Sequence, residues 1–510
     1  MTALEPLEPS VDPALAALAD AILIPPFPGT TAPAWFLRAL ERGLAGVTFF
    51  GSNVAGDTAA LTAALRAAAP VEPVIAIDEE GGDVTRVAYA TGSPSPGNAA
   101  LGAVDDAALT QSVYAAIGAD LFRLGINVDL APCADVLAAD GSAVVGTRSF
   151  GPDPSLVARH VAAAVAGLQS CGVAACAKHF PGHGSTGDDS HLTLATVLGT
   201  MAEVRARDLP PFTAAIAAGS VAIMPGHLRV PELTGSRPAS LSPAAVTGLL
   251  RGELGFTGVV ISDALEMKAA SGVLGIPEAA VLALIAGVDL LCLGRDTDEA
   301  MYYAVRTAIA DAVTSGRLGG ARLEEAAARV ASLRARLAAA RDAQGSAASH
   351  ALGPGPGVVA GSGVLAGHAA AGDGIGLIAA RRALRRSGPV PPALTDPLVV
   401  EIEPEESIAA GRFTWGFEPW AATARIEPPA GPGETPAILA AAARRPLVLA
   451  VRDARSVLPL VSQVLAARPD AVLVEMGVPA WTPPPGTAYL ATYGASRVSA
   501  QAAAEALGLA

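Results

Sequence analysis

Short apolar runs, each bounded by Gly, Pro, Asn or Asp, recur along the first two thirds of the chain and alternate with segments of helical spacing. The runs cover residues 21–26, 46–50, 74–78, 127–131, 174–179, 221–225, 258–263 and 288–293, and the intervening segments predict helices such as 57–69, 105–124, 155–168 and 201–218. Strands that are apolar without alternation are buried on both faces, so the pattern predicts a parallel sheet wrapped by helices. Eight such units predict closure into a TIM-type (β/α)8 barrel, with an open doubly wound sheet as the alternative.

A barrel demands chemistry at the carboxyl ends of its strands. Asp78 follows Val-Ile-Ala-Ile, Lys178 and His179 follow Ala-Ala-Cys-Ala, Gly226-His227 follows Ala-Ile-Met-Pro, and Asp263 follows Val-Val-Ile-Ser. Four polar strand ends make one functional rim a stronger expectation than four unrelated loop starts.

Residues 321–341 predict an Ala/Leu/Arg-rich closing helix, and the Gly/Pro/Ser/Ala stretch 345–363 reads as a linker. The expected division is a catalytic α/β barrel over 1–345, a linker over 346–362 and a smaller carboxyl-terminal α/β domain over 363–510. In that second unit, strands are predicted at 398–403, 446–451 and 471–475 and a helix at 497–507. It shows no catalytic cluster.

Composition narrows the function. The 510 residues exceed the usual size of one hydrophobic core. Mean hydropathy is positive, but the excess comes from alanine-rich helices, and the longest apolar stretches fall far short of the ~20 residues a membrane helix needs. A formal net charge of −14 disfavours nucleic acid and anionic membrane partners and suits a small neutral substrate. Residues 1–20 carry Glu5, Glu8 and Asp12 without Lys or Arg, unlike the basic start of a signal peptide, so a cytoplasmic location is expected. Cys133, Cys171, Cys176 and Cys292 form no C-x-x-C pair and are expected as reduced thiols. A monomer or homodimer is expected.

The densest chemistry lies in Lys178-His179-Phe180-Pro181-Gly182-His183-Gly184-Ser185-Thr186-Gly187-Asp188-Asp189-Ser190-His191, which holds three of the seven histidines. His179 and His183 have the H-x-x-x-H spacing of a helical zinc motif, but Pro181 and Gly182 break the helix that geometry needs, and the hydrolytic Glu is missing at the second position. No metal and no cofactor are expected. Alternatively, Gly182, Gly184 and Gly187 are hinges of a loop that carries Asp189 and His191 over a pocket. Two residues apart in extended chain, the carboxylate can hydrogen-bond the imidazole and favour its protonated form, which gives a proton donor.

Several ordered motifs between about Ile22 and Leu337 resemble glycoside hydrolase family 3, in its bacterial β-N-acetylglucosaminidase branch. They are Ile77-Asp78-Glu79-Glu80-Gly81-Gly82, Gly125-Ile126-Asn127-Val128-Asp129-Leu130-Ala131-Pro132, Arg148-Ser149-Phe150-Gly151, the histidine loop, Pro238-Ala239-Ser240-Leu241-Ser242, and Gly255 to Asp263. The resemblance implies Asp263 as nucleophile, His191 as acid/base and Asp189 as its partner. It implies Asp78, Arg86, Arg148, Lys178 and His179 as ligands of the sugar. The implied activity is retaining hydrolysis of a terminal β-linked N-acetylglucosamine through a glycosyl-aspartate, and the implied substrates are peptidoglycan fragments during recycling. Because a neutral imidazole does not repel an anion, inorganic phosphate as acceptor, which makes a phosphorylase, is the alternative. A β-glucosidase is disfavoured by Ala264 after Asp263, and a non-catalytic glycan-binding protein by the intact triad. Asp83 stands where the branch usually has Arg, and Glu79 where Gln is frequent. Thr492-Tyr493-Gly494-Ala495-Ser496 resembles the second domain of longer members.

Overall fold

The computed structural model describes residues 11–510 except 139–144, 187–193, 198, 296, 352–373, 404–408, 412 and 480, with backbone alone for 345–351. Each of the eight apolar runs holds a strand: β1 (Leu23–Ile24), β2 (Gly46–Phe49), β3 (Val74–Ile77), β4 (Val128–Asp129), β5 (Ala174–Phe180), β6 (Ala222–Pro225), β7 (Val259–Val260) and β8 (Leu291–Cys292). Strands β2 to β7 form one sheet in chain order, every neighbour parallel. β1 and β8 pair in parallel as a separate ladder. A single parallel bridge between Ile261 and Leu290 joins the two ladders. Every residue of these strands is buried, as a parallel sheet wrapped by helices requires. The fold is α/β.

Close strand packing explains one of the many glycines. A Cβ at Gly46 would lie 1.9 Å from the carbonyl oxygen of Val74 on the neighbouring strand, so only glycine fits where β2 starts.

The predicted helices appear as Thr58–Ala68, Ala107–Arg123 and Pro154–Ser170, but 201–218 is two helices, Met201–Arg207 and Leu209–Ala217. The break falls at Asp208, just before Leu209-Pro210-Pro211, where the missing proline N–H groups interrupt the helical ladder and suit a new helix start. The closing helix runs over Gly320–Ala351, into the stretch read as linker, because Ala347, Ala348 and Ala351 keep helix propensity high.

The carboxyl-terminal part forms a second sheet of β9 (Arg385–Ser387), β10 (Leu398–Ile402), β11 (Ala422–Ile426), β12 (Leu447–Val451), β13 (Val472–Glu475) and β14 (Ala488–Ala491). Its spatial order is β9-β14-β13-β12-β10-β11, parallel throughout except for antiparallel β9. Apolar clusters cover both faces of this sheet. The predicted helix is present as Arg497–Ala506.

Polar contacts fix this sheet against the loops that follow β3. The Asp83 carboxylate accepts from the backbone N–H of Ala495 at 2.9 Å, from the Thr147 hydroxyl at 2.9 Å, and from Arg452 at 3.5 Å. Thr414 donates its N–H to the Tyr89 carbonyl at 3.0 Å and its hydroxyl to the Ala90 carbonyl at 2.9 Å. The departure at Asp83 and the Thr492–Ser496 motif are thus two sides of one contact. Among the described residues no helix is long and apolar enough to cross a membrane.

Candidate active site

A cavity of about 590 Å³ opens at the carboxyl ends of the first sheet, and Asp78, Arg86, Arg148, Lys178, His179 and Asp263 all line it. That volume falls within the ~300–1,000 Å³ of small-molecule sites. His191 and Asp189, expected as acid/base and its partner, lie outside the described residues, as does Gly187.

The floor is a buried charge network. Glu80, 2% exposed, accepts from Arg148 Nη2 at 2.6 Å and Nε at 2.9 Å, and from Lys178 Nζ at 2.9 Å. The same ammonium reaches Asp78 Oδ1 at 2.5 Å. Burial alone would raise the Glu80 carboxyl, but the Arg148 and Lys178 charges outweigh it and hold the group well below the ordinary carboxylate range. Burial likewise disfavours the Lys178 ammonium, yet Asp78 and Glu80 keep its pKa above the ordinary lysine value. Glu80, Lys178 and Arg148 are therefore charged at neutral pH and fixed in position before any substrate arrives.

Asp135, fully buried, anchors the start of the histidine loop. One of its oxygens accepts from the backbone N–H groups of His179 at 3.2 Å and His183 at 2.7 Å. The other meets His179 Nδ1 at 2.8 Å and the Cys133 thiol at 3.1 Å. Burial would raise this carboxyl, and the charge and hydrogen bond of His179 hold it low instead. An ionised Asp135 can only accept, so His179 donates its Nδ1–H to it, and Nε2 lies on the opposite edge of the ring.

Gly182 and Gly184, expected as hinges, are packed positions. A Cβ on Gly184 would lie 1.9 Å from the Val136 carbonyl, and one on Gly182, at φ +132°, would lie 2.6 Å from Asp208 Cβ. Beneath them Asp208 is buried beside Arg207, which also donates to Ser185 at 2.7 Å. Burial pushes the Asp208 carboxyl up to about 6 against the pull of Arg207.

Asp263 stands three residues beyond β7, and its Oδ1 accepts from the Ala264 N–H at 2.8 Å. The next carbonyl, that of Ala264, accepts from His227 Nε2 at 3.0 Å, and His227 Nδ1 meets Ser240 Oγ at 2.6 Å. His227 is fully buried, so the strand end of β6 and the 238–242 motif brace the turn that carries Asp263. The Cys292 thiol, pushed up to about 12 by burial, also feels the charges of Asp78 and Asp263.

Arg86 is placed differently from the floor residues. It lines the cavity, while its guanidinium donates to the carbonyls of Ala409 at 2.7 Å and Ala410 at 3.4 Å. Buried Glu79 shapes that turn by accepting from the N–H groups of Arg86 at 2.7 Å and Val87 at 2.9 Å. Burial raises the Glu79 carboxyl.

The donor atoms of Cys133, Asp135 and His179 lie within 4.8 Å of one another. They satisfy each other by hydrogen bonds, and burial keeps the Cys133 thiol protonated by raising its pKa. The His179 and His183 rings meet edge to face at 5.9 Å. The arrangement works as a hydrogen-bonded support.

Comparison with known proteins fits this geometry. The glycosyl hydrolase family 3 N terminal domain matches residues 40–333. The chain belongs to glycosyl hydrolase family 3. A beta-hexosaminidase of Stenotrophomonas maltophilia (strain K279a) is 37% identical over 298 residues, covering 56% of this chain and 88% of the relative. Beta-hexosaminidase LpqI of Mycobacterium tuberculosis is 36% identical over 270 residues, or 52% of this chain and 69% of its own. A solved glycoside hydrolase family 3 beta-N-acetylglucosaminidase from Paenibacillus sp. str. FPU-7 superposes with a TM-score of 0.82 at 30% identity, over 96% of this chain and 95% of that one. This family 3 chain is accordingly a glycoside hydrolase, and its structural likeness extends through the second sheet.

Glu80 and Asp135 are among the site residues that had no role assigned from sequence. Glu80 sits inside the Asp78–Gly82 motif, and two adjacent carboxylates after an apolar strand were a usable signal. Asp135 offered none, since its four partners come from positions 133, 179 and 183 and meet it only in the fold.

Proposed function

We propose that the chain is a retaining exo-β-N-acetylglucosaminidase that works on a closed (β/α)8 barrel over residues 1–345, with 363–510 as a second domain. Asp263 attacks the anomeric carbon while His191, held by Asp189, protonates the departing oxygen. Water activated by the same histidine then releases the sugar from the glycosyl-aspartate. Asp78, Arg86, Arg148, Lys178 and His179 bind the sugar's hydroxyl and carbonyl groups. The single observation that carries this proposal is the preorganised Asp78–Lys178–Glu80–Arg148 network in one cavity with Asp263.

The acceptor is water rather than phosphate on a charge argument. Among the described lining residues, Asp78, Glu80, Asp263 and Glu266 stand against Arg86, Arg148, Lys178 and Arg295, four of each sign beside His179 and His183, so the arginines and the lysine give no surplus for a phosphate dianion. Peptidoglycan fragments are the natural source of substrate that the family resemblance implies.

Incubation with a chromogenic β-N-acetylglucosaminide, with and without phosphate, tests the proposal. Free N-acetylglucosamine at a phosphate-independent rate is expected, with turnover lost in Asp263→Ala and His191→Ala. N-acetylglucosamine 1-phosphate as product overturns hydrolysis, and unimpaired variants overturn the residue roles.

A further inference from the structure

A second cavity of about 910 Å³ lies against the first, and Tyr89 and Gly411 line both. Its position follows from the topology of the second sheet. The chain passes from β10 outward to β11, then returns to β12 on the other side of β10. The strand order thus reverses between β10 and β12, and open α/β sheets take ligands outside the carboxyl ends of strands at such a switch point. Glu403 and Arg452, the residues directly after β10 and β12, both line the cavity.

The lining selects its occupant. Glu403, Glu418 and Glu427 face two guanidiniums, Arg425 and Arg452. Both cations already have carboxylate partners. Arg425 reaches Glu401 at 2.6 Å and Glu403 at 3.2 Å, and Arg452 reaches Asp83 at 3.5 Å and Glu403 at 3.8 Å. Arg452 also stacks over the Phe413 ring at 4.4 Å, so it is fixed as part of the wall. Among the described lining residues the surplus is negative and repels anions. Tyr89, 38% exposed, gives an aromatic face at the mouth shared with the first cavity, and carboxylates with threonine hydroxyls from Thr414 and Thr423 supply hydrogen-bonding partners for hydroxyl and amide groups.

We propose that this cavity at the switch point of the second sheet binds the leaving-group side of the substrate, and that it takes an uncharged saccharide chain. It rests on the proposed glycosidase activity but departs from the peptidoglycan source that the resemblance implies: chains of neutral amino sugars are preferred over fragments that carry carboxylates on the departing side.

The test compares kcat/KM for three substrates: a small aryl β-N-acetylglucosaminide, β-linked N-acetylglucosamine oligomers of two and four units, and a four-unit chain whose alternate sugars bear a lactyl carboxylate. The neutral tetramer should exceed the dimer by about fivefold to tenfold, the worth of one or two net hydrogen bonds, while the acid-bearing chain gains nothing. Thr423→Trp obstructs the cavity wall and should abolish the gain without changing turnover of the aryl glycoside. Glu427→Lys should shift the preference toward the acid-bearing chain, which gives a second readout that does not depend on cavity filling. Equal rates for dimer and tetramer, an equal gain for the acid-bearing chain, or a gain that survives both variants overturns the inference. If the wild type leaves the aryl glycoside intact, the proposed activity is what fails, and calorimetric binding of the same saccharides then decides the cavity's role.

Discussion

Replacing Glu80 by Gln tests whether the floor of the catalytic cavity is built as described. The substitution keeps volume and one acceptor oxygen, but it removes the charge that faces two cations and turns an NH2 toward donors. Three charge-assisted contacts from Arg148 and Lys178 converge on Glu80, and both Glu80 and Lys178 are 2% exposed, so solvent cannot compensate. Removing one partner of a buried ion pair costs about 3–5 kcal/mol, a large share of the ~5–15 kcal/mol that stabilises a folded domain. The variant should fold, with its denaturant midpoint lowered and its m-value unchanged. Lys178 then keeps only Asp78 as a charged partner, and the displaced ammonium and guanidinium should reduce kcat/KM for a chromogenic β-N-acetylglucosaminide by about a hundredfold, equivalent to ~2.7 kcal/mol of transition-state stabilisation. Chemical unfolding and steady-state kinetics read the two effects separately. A midpoint and a kcat/KM both equal to wild type would refute the network.

Two further substitutions probe the braces around the site. The folded-state pKa of Asp208, about 6, lies above the ordinary carboxyl value near 4. Its contribution to stability is therefore fully present below about pH 4 and is lost as pH rises through about 6. Asp208→Asn should flatten the fall in Tm across that window, and an unchanged slope would contradict the burial argument. His227→Ala removes the donor to the Ala264 carbonyl behind Asp263. It should lower kcat about tenfold with KM little changed, because the turn that orients Asp263 loosens; a rise in KM alone would place His227 in binding instead.

Much of this was legible in the sequence because the first sheet is apolar on both faces. Runs such as Val74–Ile77 leave few alternatives once they recur eight times between helices. The rim residues followed directly, since Asp78 and Lys178 are the first polar groups, and Asp263 the first charged group, after those runs. In the second sheet, the fully buried strands at 398–402, 447–451 and 472–475 were visible for the same reason. Ala422–Ile426 was not, because this edge strand is half exposed and its Ala-Thr-Ala-Arg-Ile sequence carries no continuous apolar signal. Ala488–Ala491 was hidden because it follows a proline-rich turn and its Ala-Tyr-Leu-Ala sequence lacks the β-branched run that marks the other buried strands. The split of the 201–218 helix was written in Pro210 and Pro211 but masked by the surrounding apolar periodicity. The glycines of the histidine loop show a different limit. Sequence reveals that a position lacks a Cβ, whereas the Val136 carbonyl that excludes one at Gly184 comes from a distant segment. For Asp83, only the fold reveals that its partners lie at 147, 452 and 495.

The central claim is that Asp263 forms a covalent bond to the sugar. A fluorinated β-N-acetylglucosaminide that glycosylates quickly and deglycosylates slowly would trap that species for peptide mapping by mass spectrometry. One added sugar on the peptide that contains Asp263, absent from Asp263→Asn, is the predicted result. An adduct on Asp78, Glu80 or Glu266, or turnover with inverted product configuration and no adduct at all, would contradict it.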